Sequence, residues 1–446
     1  MQEQPKAPSF LEFFVYWLKL GFISFGGPAG QISMMHQELV EKRRWISEHR
    51  FLHALNYTMV LPGPEAQQLA TYIGWLMFGV RGGVVAGVLF VLPSLFILSS
   101  LAWVYLTYGD VSEVVLYGVK PAVTAIVLFA AYRIGSKALS NNILKILAVS
   151  AFVATFILKV PFPYIVLGAA LIGYLGAKFS PDTFKMGAHH GASQDSYGSA
   201  LIDDNTPTPD HAKFKWSRLL SFAVVGITLG FLVMSFLDNK VLHDMGVFFT
   251  EAALVTFGGA YAVLPYINEA SVNDYNWLEA KDMIAGMALG ETTPGPLIMV
   301  VAFVGFMGAR LQEIGTDSML LAGFIGASVA TFFTFLPSFL FIFLGGPGVE
   351  ATRGDLKFDA PLSAVTAAVV GAILNLAAFF AIGTLYQNQE IDWRSSDWWM
   401  SINWTSVDWM SLAIMIIAFV ALFRFKVGIM SVIVLSAITG VGINSL

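Results

Sequence analysis

The chain of 446 residues contains no cysteine, which excludes disulfides and thiolate metal sites. Charge is scarce as well: Asp, Glu, Lys and Arg make up 12% of the residues against 56% that are hydrophobic. With a mean hydropathy of +0.69, there is too little polar surface to coat a soluble globule of this size. Histidine is sparse, with seven residues scattered along the chain; His189-His190 falls in a polar stretch where a solvated face is the expectation, and no metal site is read. No Walker-type loop, nucleophile–base set or metal-ligand spacing occurs. The sequence therefore predicts neither an enzyme nor a resident cofactor, and no nucleic-acid partner.

What the chain has in abundance is apolar length. Runs such as 84–108, 113–134 and 219–237 reach the ~20 residues that cross about 30 Å of hydrocarbon. They are continuous rather than alternating, so a β-barrel is excluded and the lipid bilayer is the expected solvent. Further spans are read at 143–160, 162–177, 320–344, 361–385, 410–423 and 427–441. The N-terminal segment carries Glu12 and Lys19 inside its apolar run and no small-residue cleavage site, so it reads as retained rather than as a signal peptide.

The chain repeats itself. Leu61-Pro-Gly-Pro64 returns as Thr293-Pro-Gly-Pro296, and Phe25-Gly-Gly27 as Phe257-Gly-Gly259, both at a shift of 232 (294 − 62 and 257 − 25). Trp45 falls on Trp277 at the same shift; Leu92-Pro-Ser94 matches Leu336-Pro-Ser338 at 244, and Ala122-Val-Thr-Ala125 matches Ala364-Val-Thr-Ala367 at 242. The expected organisation is an N-terminal repeat over 1–177, a polar linker over 178–218, an odd helix over 219–237 and a C-terminal repeat over 243–446. One unpaired crossing between the halves inverts the second, the usual construction of secondary transporters. The fold class is thus an all-α polytopic membrane protein with two inverted repeats, whose broken or re-entrant helices meet at the midplane. Lys and Arg concentrate at 42–50, 137–145, 178–218 and 424–426, while 260–283 and 387–408 are acidic or tryptophan-rich; this asymmetry places the N-terminus and linker in the cytoplasm. Counting every motif segment as spanning gives thirteen crossings; treating four as re-entrant gives nine, which the asymmetry favours.

Pro-Gly-Pro interrupts a helix by removing hydrogen bonds, and non-helical backbone at membrane depth survives only inside protein or beside a polar cavity. The breaks at Phe25, Gly26 and Gly27, at Pro62, Gly63 and Pro64, at Gly258 and Gly259, and at Pro294, Gly295 and Pro296 should therefore meet. Helices restarting there would aim free N–H groups and positive dipole ends at an anion. Gln67, Gln68, Thr292 and Thr293 are candidate polar contacts, and Lys19 a candidate cation, with snorkelling to the interface as its alternative. Glu65 and Glu291 flank the two Pro-Gly-Pro motifs and are candidate proton carriers; the bland alternative for Glu65 is a first-turn acid at its helix start.

The motifs Phe25-Gly-Gly-Pro28, Leu61-Pro-Gly-Pro-Glu-Ala-Gln-Gln68 with Tyr72-Ile-Gly74, and Leu92-Pro-Ser94, with their echoes at 256–259 and 293–296, resemble the chromate ion transporter family in its long-chain, two-domain form. The resemblance covers nearly the whole chain. It implies a bacterial inner-membrane secondary transporter that exports chromate, driven by the proton motive force, with resistance to chromate as the outcome. The second half departs from the first by carrying Leu297-Ile-Met-Val300 in place of Glu-Ala-Gln-Gln. A sulfate or other oxyanion carrier, and an anion channel built from re-entrant helices, stay open as alternatives; so does the choice between a homodimer and a single working chain.

Overall fold

The computed structural model describes residues 5–25, 27–179, 197–312, 314, 318–352, 359–387, 389, 391, 393 and 398–444. Gly26, one of the expected site residues, lies outside the described residues. Sixteen α-helices and no β-strand form among the described residues. In the first half these are α1 (Phe10–Ile23), α2 (Gly27–His36), α3 (Glu48–Val60), α4 (Glu65–Thr107), α5 (Gly109–Ala138), α6 (Asn142–Phe156) and α7 (Phe162–Phe179). The odd helix α8 (Trp216–Ser235) follows. The second half holds α9 (Lys240–Leu254), α10 (Ala260–Glu269), α11 (Ala280–Thr292), α12 (Val300–Leu311), α13 (Met319–Thr352), α14 (Asp359–Leu385), α15 (Trp409–Phe423) and α16 (Ile429–Asn444). Five helices are long and apolar enough to cross a membrane by length and composition, and the chain is a multi-pass membrane protein.

The repeat extends to single backbone groups. At the 232 shift α3 maps onto α11 end to end, 48 to 280 and 60 to 292. Short π turns at Gln37–Lys42 and Ala270–Asp274 close α2 and α10. The Trp45 N–H donates to the Leu39 carbonyl at 2.8 Å, and the Trp277 N–H to the Ser271 carbonyl at 2.8 Å. Arg44 and Asn276 both take positive φ, 51° and 55°. A fourth shift, 267, relates α6 to α15 (142 to 409, 156 to 423). There the N-caps are Asn141 and Asp408, and Lys159 and Lys426 share a φ of 53°. Side chains agree as well: Ala151-Phe-Val-Ala154 and Phe156 recur as Ala418-Phe-Val-Ala421 and Phe423.

Side-chain contacts tie the motif segments into hairpins. Arg43 near the end of the first hairpin pairs with Glu12 near its start, Nη1 to Oε1 2.8 Å, so α1 and α2 enter and leave at one end of the molecule. Arg50 at the start of α3 and Tyr72 in the first limb of α4 both contact Glu350, which folds α3 and that limb into a second hairpin from the same end. Phe78 and Gly79 (φ 65°) then leave helical geometry and turn the second limb of α4 back across the molecule. In the second half, Phe248 of α9 packs edge-on against Trp277, and Gly308 of α12 packs on Trp277 as well, so the ends of both hairpins meet at one place. At about 1.5 Å per residue, the 13 residues of α3 reach only about 20 Å, too short to cross. Among the described residues the helices long and apolar enough to cross lie in α4, α5, α8, α13 and α14.

The breaks meet pairwise. The Gly63 N–H donates to the Thr256 carbonyl at 2.7 Å, and the Gly295 N–H donates to the Ser24 carbonyl at 2.9 Å. Ser24 and Thr256 are themselves counterparts, as are Gly63 and Gly295, so the two repeats clasp each other through a reciprocal pair of main-chain bonds. The Gln31 amide reinforces one clasp, donating to the Gly295 carbonyl at 2.6 Å and the Ser24 carbonyl at 3.2 Å. A methyl group on Gly63 would fall 2.5 Å from Ser338 Oγ, and one on Gly295 would fall 2.7 Å from Ser94 Cβ. Each Pro-Gly-Pro loop thus packs on the Leu-Pro-Ser helix of the other repeat.

The polar linker is attached at the end where the first repeat's hairpins enter. Residue Ile202 exchanges main-chain bonds with Trp45 and Ser47, at 3.0 and 2.9 Å, and His211 contacts the Trp75 carbonyl at 2.7 Å. We refer to this as the linker end.

A cavity between the helix starts of the two repeats

A cavity of about 500 Å3 opens between α2, α3, α5, α10 and α14. Its size suits a small ion with part of its hydration shell. The inner wall is the start of α10, Gly258, Gly259, Ala260 and Tyr261, together with Pro28 and Ala29 of α2 and the carboxyl of Glu65. Gly259 takes a φ of 91° as the cap of α10, a conformation that glycine adopts without strain and that leaves the first turn of α10 facing Glu65. A methyl group on Gly259 would lie 3.6 Å from Glu65 Oε1. The outer wall carries Arg133 and Lys137 of α5, half-buried and exposed respectively. Neither forms an ion pair among the described residues. His36 and Glu48, also in the lining, hydrogen-bond to one another.

The second carboxyl sits behind this wall. Tyr261 lines the cavity and donates its hydroxyl to Glu291 Oε1 at 2.8 Å, and Arg133 acts electrostatically on both groups. Glu291 itself borders a small space of about 10 Å3 with Gly27, Thr293, Gly295 and Leu297. Such a space holds at most about one water molecule.

The expected site residues divide by place. Glu65, Gly258 and Gly259 line the cavity. Gly27, Thr293, Gly295 and Glu291 line the small space. Phe25 begins the first break, its N–H bonded to the Ile23 carbonyl at 3.0 Å. Pro62, Gly63, Pro64, Pro294 and Pro296 form the loops of the clasp and line neither space. Gln67 and Gln68 are fully buried and turn away from the cavity: Gln67 Nε2 donates to Thr71 Oγ1 at 3.0 Å, and Gln68 Nε2 to the Pro62 carbonyl at 2.7 Å. Thr292 and Thr293 spend their hydroxyls on the last turn of α11, donating to the Leu289 and Gly290 carbonyls at 2.7 and 3.0 Å. The chain after Pro296 restarts as a 3-10 turn, Leu297–Met299, and its N-terminus contributes no wall to the larger cavity.

Lys19 requires a correction. It is exposed on the outer face of α1 and lines neither space, which fits a side chain reaching to an interface. The cations of the cavity are Arg133 and Lys137. The sequence did carry a signal for Arg133, an arginine inside the apolar run 113–134, where a charge ordinarily faces a cavity or a partner. Tyr261 gave none, because its importance depends on two segments 30 residues apart in sequence.

A family model described as Chromate transporter matches residues 11–174 and 243–441. The chain belongs to the chromate transporter family. It is 30% identical over 362 residues to a probable chromate transport protein of Synechococcus elongatus, covering 80% of this chain and 81% of that one. It is 30% identical over 365 residues to the chromate transport protein of Cupriavidus metallidurans, covering 80% and 79%. An uncharacterized transporter of Methanocaldococcus jannaschii is 26% identical over 386 residues, covering 85% and 86%. No solved structure matches the chain.

Proposed function

We propose that this family member is a secondary carrier that exports chromate, a tetrahedral dianion, from the bacterial cytoplasm across the inner membrane at the expense of the proton motive force. The carrying observation is the cavity lined by Arg133 and Lys137, which form no ion pair among the described residues, together with a helix start at Gly259–Tyr261. Fixed charge and helix-start N–H groups together are how proteins hold oxyanions. The linker end is assigned to the cytoplasm because Lys137, Arg43, Arg44, Arg218, Arg424 and Lys426 gather there, as cytoplasmic loops do. The cavity then opens toward the compartment from which the anion departs.

Direction follows from sign. A dianion leaving a negative interior gains roughly 2 × 2.3 kcal/mol per 100 mV, so the membrane potential alone drives efflux. Glu65 in the cavity and Glu291 behind Tyr261 are the groups that would carry a coupling proton. The test is chromate flux in proteoliposomes at fixed potential, with and without a pH gradient and with sulfate as competitor. Saturable flux that follows the pH gradient and resists sulfate supports the reading. Equal competition by sulfate reduces it to a general oxyanion carrier, and unsaturable flux indifferent to pH replaces the carrier with a channel.

A further inference from the structure

The large cavity has a counterpart, and in this conformation it is shut. Shifting the cavity wall by the repeat spacings carries Leu52 to Ile284, Leu55 to Met287, Met59 to Glu291 and Glu65 to Leu297, and it carries Arg133 to Asn375. Ile284 and Met287 lie on α11, whose start is bonded through Asp282 to Tyr105 at the end of α4 away from the linker. Three members of the small space, Gly27, Glu291 and Leu297, are the counterparts of Gly259, Met59 and Glu65, which line the large one. About 500 Å3 on one side thus faces about 10 Å3 on the other. The space is filled by packing: Ile284 and Met287 are 2% and 0% exposed, and Ile284 Cδ1 lies 2.7 Å from where a methyl group on Gly383 would stand.

We infer that this closed space is a second access cavity for the same anion, reached from the end opposite the linker when the two repeats exchange conformations, and that it is the releasing side. The backbone permits the exchange, because each break that shapes the open cavity exists in both halves. Gly27 and Gly259 share positive φ (70° and 91°), as do Gly63 and Gly295 (123° and 105°). The helix starts that bound the anion in one state are therefore available in the other.

Charge makes the two sides unequal. Arg133 and Lys137 on the open side correspond to Asn375 and Phe379 on the closed side. The one cation at a counterpart position, Lys120 in place of Leu362, interacts with Glu113 and Asp282, which oppose its charge. A dianion is held more weakly there, so the linker end captures and the far end releases. This inference rests on the carrier reading above and adds the second site and its polarity.

The absence of native cysteine makes the test direct. Single cysteines are introduced as Leu52→Cys for the open side and as Met283→Cys, Ile284→Cys and Met287→Cys for the closed side. A membrane-impermeant maleimide is then applied to oriented vesicles from each face, with and without chromate, and chromate flux is measured on the same vesicles. The expected result is modification of Leu52→Cys only from the linker face and of the closed-side cysteines only from the far face. A change of condition that lowers one should raise the other. Three closed-side positions guard against one variant failing to fold. Vesicles that transport chromate while none of the three is ever modified from the far face overturn the second cavity. Reciprocal labelling without chromate flux retains it and removes the substrate reading instead.

Discussion

Arg50 and Asp282 occupy the same position in the two repeats (282 − 50 = 232) with opposite charges, and each is bonded to the other half of the molecule. Arg50 Nη1 lies 2.8 Å from Glu350 Oε2 of α13, and Asp282 Oδ1 accepts the Tyr105 hydroxyl of α4 at 2.8 Å. Each ties the entrance of a re-entrant hairpin to the far end of a long helix in the opposite repeat.

Arg50 and Glu350 are 4% and 1% exposed at the side chain, so removing one leaves the other buried and uncompensated. Arg50→Ala is expected to cost about 3–5 kcal/mol, while the double change Arg50→Met with Glu350→Met costs much less. Thermal unfolding of the purified protein in detergent checks this; equal loss in the single and double variants would remove the pair from the stability account.

Gly63→Ala should disrupt the clasp by two separable routes. The new methyl group meets Ser338 Oγ at 2.5 Å and Gln68 Nε2 at 2.6 Å, and a φ of 123° is strained for any residue with a Cβ. Adding Ser338→Gly relieves the Ser338 contact and leaves that with Gln68, so the double variant should recover part of the loss and retain the Gln68 contact together with a backbone strain of about 1–3 kcal/mol. Full recovery, read as the melting temperature, would show that the dihedral angle costs nothing.

Arg133 gives a graded expectation for transport. Arg133→Gln should raise the KM for chromate efflux more than tenfold, a loss of about 1.4 kcal/mol or more of anion binding. Arg133→Lys keeps the charge but loses the planar fork and should fall between. Flux measured against internal chromate concentration decides, and an unchanged KM in Arg133→Gln would take the residue out of the binding site.

The two carboxyls are expected to respond differently to substitution. Glu65→Gln should abolish the dependence of flux on the pH gradient if Glu65 carries the coupling proton, and Glu291→Gln should do so if the proton resides behind Tyr261. Retention of the full pH-gradient response in both variants would remove these carboxyls from coupling altogether.

Outside the membrane, Glu38 provides a stability switch. Burial raises its pKa, but hydrogen bonds from Arg43 and Lys42 outweigh burial and hold it below the ordinary carboxylate range. A carboxyl depressed in the folded state stabilises above its unfolded pKa and loses that contribution as pH falls through the folded value. The melting temperature should therefore decline more steeply below about pH 4.5 in the natural chain than in Glu38→Gln. Parallel curves would contradict the assignment.

Much of this architecture is legible in the sequence, because the features that break helices are also the ones that repeat. Pro62-Gly63-Pro64 and Gly258-Gly259 announce both the duplication and the central crossing, and the placement of Lys and Arg points to re-entry. What stays hidden until the helices are compared is the equivalence of α6 with α15, because their shared Ala-Phe-Val-Ala, 151–154 and 418–421, falls at a shift of 267, away from the 232 to 244 of the other motifs. The division of labour at the centre is hidden too. Gln68 looks like a ligand until the Pro62 carbonyl takes its amide, and Lys19 looks like a buried cation until α1 presents it on the outer face. Arg133 becomes a site residue only when α5 is laid beside α10, 128 positions further on (261 − 133) at Tyr261.

The reciprocal clasp also sets an order for biogenesis. When the first repeat leaves the ribosome, its Gly63 N–H has no acceptor of its own, since Thr256 has yet to be synthesised. A bare main-chain donor in hydrocarbon costs several kcal/mol, so the nascent first half must shelter that loop in an open or hydrated form until α9 arrives. Maturation is then gated by synthesis of the chain through Thr256 rather than by insertion of each hairpin, and a truncated chain stopping within α8 should be a substrate for membrane quality control even though its helices have all been inserted.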